Sequence, residues 1–96
     1  MSDKELYRQK RQAQLDEWLA EVDKLKAKAS GVSANTQLEM NRKIKTLESK
    51  IDEGKAKLSQ LAGASDDAWE SLKDRVESAW DTLRSAVGDA ASKFKK

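Results

Sequence analysis

Apolar residues recur along the first third of the chain at Leu15, Trp18, Val22, Leu25, Ala29 and Val32, stepping by three and four in turn. That is a heptad seam, the stripe a helix buries against a neighbouring helix. Extended backward it meets Arg11 and Arg8, which leaves the first two turns poorly specified. Met40, Ile44, Leu47, Ile51, Leu58 and Leu61 form a second seam of the same kind, with Gly54 at one inward position. A glycine there costs about 1 kcal/mol of helix propensity and predicts a gap in the packing.

Start and stop signals fall where these seams begin and end. Ser2 with Glu5 and Thr36 with Glu39 read as capping boxes, and Ser65 precedes Asp66, Asp67 and Glu70, acids that favour the positive end of a helix dipole. Gly31 and Gly63 follow the first two periodic runs. The predicted helices span about 3–30, 36–62 and 66–94, each roughly 40 to 44 Å long at 1.5 Å per residue. The first two seams do not share a frame, since continuing the first lands on Thr36 and Glu39, one residue out of phase with Met40. This slip favours a turn in "SGVSANT"; a continuous helix with a local skip is the alternative. The fold class is therefore all-α: three long antiparallel helices in a spectrin-like three-helix bundle, or an elongated coiled-coil hairpin, as a single domain over 1–96.

The last third follows another rule. Trp69, Leu72, Val76, Trp80, Leu83, Val87, Ala91 and Phe94 step by 3, 4, 4, 3, 4, 4, 3, an 11-residue repeat in which "AWESLKDRV" returns as "AWDTLRSAV". At about 3.67 residues per turn such a stripe runs nearly straight, so packing it on heptad helices demands adjustment. Lys73 and Arg84 fall near one edge of the stripe and Arg75 and Lys93 near the other, while Asp67, Asp74, Asp81 and Asp89 lie around the opposite face. Basic residues at the boundary are the layout of lipid-surface helices, because long stems lie along apolar groups while charged heads reach phosphate. They cover the flanks of a bundle core equally well, and Asp66, Glu70 and Glu77 near one boundary weaken the lipid layout. Packing within the protein or its oligomer ranks first, a lipid surface second, and a specific protein partner third.

Composition narrows the chemistry. Charged residues make up 38% of the 96, proline is absent, and 19 basic against 17 acidic residues leave a formal charge of +2. No strong field draws such a chain to nucleic acid or to an anionic membrane. The local clusters "KLKAKA" and "NRKIK" place lysines two apart, which splays them around a helix instead of aligning them. Lys93, Lys95 and Lys96 make a short basic tail suited to a helix C-terminus. With no cysteine and no histidine, thiolate chemistry and the commonest general base and metal ligand are missing. Asp66 and Asp67 form the one adjacent acidic pair, better suited to the dipole than to a metal. The four glycines stand too far apart for a phosphate loop. No catalytic residue, metal or cofactor is expected, and the charged N-terminus with no long apolar run predicts a soluble cytoplasmic protein.

"LDEWLAEVDKLKAKA" (15–29) and "DDAWESLKDRVESAWDTLRSAVGDAASKFKK" (66–96) resemble a group of small bacterial coiled-coil proteins with an LDEW…IDKLKAKA segment and a C-terminal pair of AW-type repeats, similar to a cyanobacterial stress-response family. The repeat is also similar to the 11-residue units of exchangeable apolipoproteins. Residues 30–45 depart from the coiled-coil pattern, whose middle reads as a continuous helix. The resemblance implies a helical, non-enzymatic, stress-associated protein and carries over no catalytic residue. The expected function is that of a structural or protein-interaction module working through its third helix, with peripheral lipid binding as the alternative. Trp69, Leu72, Val76, Trp80, Leu83, Val87 and Phe94 would supply apolar contact, and Lys73, Arg75, Arg84 and Lys93 its charged edges. A homodimer, a helical protein partner or a membrane surface are the expected partners.

Overall fold

The computed structural model describes residues 3–94. Ser2, half of the first expected capping box, and Lys95 and Lys96 of the basic tail lie outside them. Three helices follow one another, α1 (Asp3–Ala29), α2 (Ala34–Ala62) and α3 (Trp69–Lys93), in a body 51 × 19 × 17 Å across. No helix among the described residues is long and apolar enough to cross a membrane.

The helix ends fix the direction of each element. At one end of the molecule the Lys4 ammonium donates to the Ala64 carbonyl at 2.8 Å, so the start of α1 meets the end of α2. At the other, Lys28 donates to the Phe94 carbonyl at 2.9 Å, so α1 and α3 finish together. α1 and α3 are thus parallel and α2 runs against both, the up-down-up path of a three-helix bundle; the hairpin alternative falls away.

The turn in "SGVSANT" is real, which closes the continuous-helix alternative there, but its cap is not the expected one. α2 begins two residues before Thr36, with Ser33 extended at φ −60°, ψ 158° and its hydroxyl accepting from the Thr36 amide at 3.5 Å. Glu39 instead faces α3, where its carboxylate stands 3.8 Å from Lys93. A serine beside the phase slip wins because its short hydroxyl reaches the amide three residues on. Likewise α3 starts at Trp69, later than the acids suggested: Ser65 closes a single turn through Asp66 and Asp67, its carbonyl accepting from the Ala68 and Trp69 amides and its hydroxyl from Ala68 at 3.3 Å.

Both heptad seams and most of the 11-residue stripe converge on one core. Leu15, Val22, Met40, Leu47, Ile51, Leu61, Val76, Trp80 and Leu83 are all but inaccessible. Two expectations change here. Gly54 leaves no void, because the Trp80 ring and Leu83 fill the space beside it. At the end of α3 it is Ala90, not Ala91, that is fully buried, since the stripe drifts by one residue as α3 follows its neighbours.

Candidate interaction surface

The stripe of α3 faces α1 and α2. Val76, Trp80, Leu83 and Val87 are buried in the common core, while Trp69, Leu72 and Phe94 are partly buried against it. The edge cations separate into two kinds. Lys73 is half-buried, its ammonium 5.8 Å from the Trp69 ring centre and 5.4 Å from that of Tyr7, within cation–π range. Arg75, Arg84 and Lys93 are exposed, Lys93 lying 5.8 Å from the Phe94 ring.

Two aromatic pairs join α1 to α3. Tyr7 meets Trp69 with ring centres 6.1 Å apart, and Trp18 meets Trp80 at 6.0 Å, both tilted by about 50° in the manner aromatic quadrupoles favour. Tyr7 and Trp18 are eleven residues apart, as are Trp69 and Trp80. α1 therefore carries the beat of α3 in its aromatic positions, and the two helices lie in step through parallel contact. Composition and heptad reading both overlooked Tyr7. The signal that could have found it is its spacing from Trp18.

Arg11, a break in the seam by residue type, is an inward residue in the structure. Its side chain is 12% exposed, its guanidinium 5.0 Å from the Tyr7 ring centre, 2.8 Å from the Gln14 side-chain oxygen Oε1, to which it donates, and 3.8 Å from the Glu77 carboxylate. Glu77, one of the acids that weaken a lipid layout, is thus the α3 partner of an α1 cation. Lys4, Tyr7 and Arg11 thus give the first turns of α1 partly buried contacts, although its buried residues begin only at Leu15. Arg8 pairs with Glu5 one turn back, which holds the Glu5 carboxyl below its ordinary pKa. On the far side Lys26 and Glu48 pair at 2.8 Å between α1 and α2, raising the Lys26 ammonium.

Among the described residues, three buried side-chain polar atoms have no hydrogen-bonding partner: the Tyr7 hydroxyl, Arg11 Nε and Trp80 Nε1. Burial pushes the Tyr7 phenol above its ordinary pKa; the Arg11 guanidinium beside it opposes this and the Glu77 carboxylate adds to it. Trp80 is wholly buried at the middle of the stripe, and its indole N–H is unpartnered there. Between α1 and α3 a shallow groove has Trp18 and Val87 as its floor and Glu17, Glu21, Lys24 and Arg84 as its walls. Mixed charge on the walls and an open shape suit neither a phosphate nor a metal. Among the described residues no three acidic side chains gather as a metal site would require.

No family model matches the chain, and neither a curated protein nor a solved structure does.

Proposed function

We propose that this chain is a non-catalytic, stress-associated helical module, of the kind its two signature stretches resemble, acting as a structural or protein-interaction element through its third helix. The observation that supports this reading is the Trp80 indole, buried at the centre of the stripe with its N–H unmet. An unmet buried donor costs about 1–3 kcal/mol, so the closed bundle is less favoured, relative to states in which α3 has left, than its apolar burial alone would make it. On leaving, α3 offers a straight apolar stripe flanked by Arg75, Arg84 and Lys93, a fit for another helix. No catalytic residue, cofactor or nucleic acid enters this reading.

Native-state hydrogen exchange tests it. α3 amides are expected to exchange through a sub-global opening while the α1–α2 hairpin stays protected. Equal protection of all three helices, lost only on global unfolding, overturns it.

A lipid surface is the second reading, supported by the exposed cations at the stripe edges. Anionic vesicles should then shift tryptophan emission to the blue, and replacing Trp69 and Trp80 by alanine should abolish vesicle sedimentation. No response at high lipid removes that reading.

A further inference from the structure

The 11-residue stripe does not begin at Trp69. Counting back from Trp69 and Trp80 by eleven gives Leu58; from Leu72 and Leu83, Leu61; from Val76 and Val87, Ser65. The steps from 58 through 61, 65, 69, 72, 76, 80, 83 and 87 to 91 and 94 are 3, 4, 4, 3, 4, 4, 3, 4, 4, 3, with Ser65 as the one polar member. The beat therefore crosses the α2–α3 turn unbroken, whereas the α1–α2 junction slips out of phase. Leu58 and Leu61 are already core residues of α2.

The two residues that flank that turn already have a right-handed backbone. Gly63 sits at φ −88°, ψ −2° and Ala68 at φ −78°, ψ −30°, both in the right-handed region, and no described residue has positive φ. No proline intervenes. What holds the bend is Ser65, whose hydroxyl and carbonyl satisfy the Ala68 and Trp69 amides.

We infer that α2 and α3 can fuse into one helix over 34–93, about 90 Å long at 1.5 Å per residue, and that its partner is a second copy of this chain. Two such helices run antiparallel about a twofold axis near Ser65, and each α3 docks on the α1–α2 hairpin of the other copy. The packed faces of the helices are kept, including the Trp18–Trp80 and Tyr7–Trp69 pairs, now between chains, and the Lys4 hydrogen bond to the Ala64 carbonyl is given up with the bend. Only the bend is exchanged for helix, which is why exchange of an identical element is a low-cost route to a dimer. The inference rests on the proposed departure of α3 from its own bundle; hydrogen exchange measures that departure in the monomer, so the two readings fail separately.

Two ion pairs give the test. Lys93 faces Glu39 at 3.8 Å between α3 and α2, and Lys26 faces Glu48 at 2.8 Å between α1 and α2. Equal amounts of ordinary and isotope-labelled full-length chain are unfolded, mixed, refolded at high concentration and treated with a carbodiimide. In the dimer fraction, about half of the Lys93–Glu39 cross-links should join a labelled to an unlabelled chain while Lys26–Glu48 links join none. Gly63→Ala with Ser65→Leu, which completes the stripe, should raise the dimer fraction several-fold and give a rod about twice as long as the 51 Å monomer. Asp66→Pro should abolish it, because proline suits position i+1 of the closed turn but blocks a continuous helix. A dimer in which both cross-links stay within one chain overturns the exchange. So does a Gly63→Ala, Ser65→Leu protein that remains a compact monomer at every concentration.

Discussion

The Trp80 ring lies where a side chain at position 54 would go: a Cβ on Gly54 would stand 3.2 Å from Cζ3 and 3.3 Å from Cη2 of the indole, and 3.1 Å from Cδ1 of Leu83. The same ring also meets Trp18, with ring centres 6.0 Å apart. The glycine is thus the α2 half of a tryptophan socket, and what weakens α2 as an isolated helix allows α3 to seat its largest side chain.

Gly54→Ala sets the two effects against each other. Helix propensity favours alanine by about 1 kcal/mol, while Leu83 and the Trp80 ring would each have to give way by a few tenths of an ångström. The expected result is a net loss of stability, and Gly54→Val should lose about 1–3 kcal/mol, as overpacked cores do. In a Trp80→Phe background, where the ring is smaller, Gly54→Ala should become stabilising. A melting temperature raised by Gly54→Ala alone would show the socket to be loose.

The two tryptophans of the repeat should separate in their effect on stability. Trp80 is wholly buried, whereas Trp69 is half-buried at the end of the bundle. Trp80→Ala should lower the unfolding free energy by about 3–5 kcal/mol and Trp69→Ala by less than half as much, read from urea denaturation. Equal losses would mean that the N-terminal end of α3 is as tightly packed as its centre.

Much of this was legible in the residues because heptad and hendecad stripes report directly which face of each helix is buried. Leu15, Trp18, Val22, Met40, Ile44, Val76 and Trp80 all lie where their spacing placed them. Periodicity fails where a residue type is unusual for its position. Arg11 reads as a break because it is charged, but its stem packs inward while its head finds Gln14 and Glu77. Gly54 reads as a gap because one helix cannot show what the third inserts. Caps were the weakest point, since serines and threonines cluster in both turns and only the backbone path decides which hydroxyl meets an amide. Which surface the third helix contacts was left open by the pattern, because a core and a lipid surface ask for the same apolar stripe.

Tyr7 makes stability depend on pH at the alkaline end. Burial raises its folded pKa above the ordinary value of about 10. Below about pH 10 the phenol is neutral in both folded and unfolded chains, so its contribution is fully present. Above that, the unfolded chain releases the proton while the folded chain keeps it, and stability falls until the pH reaches the folded value. Tyr7→Phe should remove this component of the alkaline decline and cost little near neutrality, since it deletes an unpartnered hydroxyl. Tyr7 is the one tyrosine of the chain, so phenolate absorbance follows it alone. Parallel stability curves for the two proteins from about pH 9 to 11 would contradict the burial effect.

Arg11 offers the sharpest contrast between charge and packing. Its Nε is buried without an acceptor and its ion pair with Glu77 is long at 3.8 Å, which offsets the hydrogen bond to Gln14 and the contact with the Tyr7 ring and leaves the stem as the main contribution. Arg11→Met keeps a flexible apolar stem and removes the unmet donor; its unfolding free energy should lie within about 0.5 kcal/mol of the parent or above it. Arg11→Ala deletes the stem and should lose about 1–2 kcal/mol. The phenol adds a second readout, because the guanidinium holds the Tyr7 pKa down against burial. In Arg11→Met the phenolate titration should therefore move to higher pH. If Arg11→Met instead destabilised the protein as much as Arg11→Ala, the charge and not the stem would be what seats the first turns of α1 on α3.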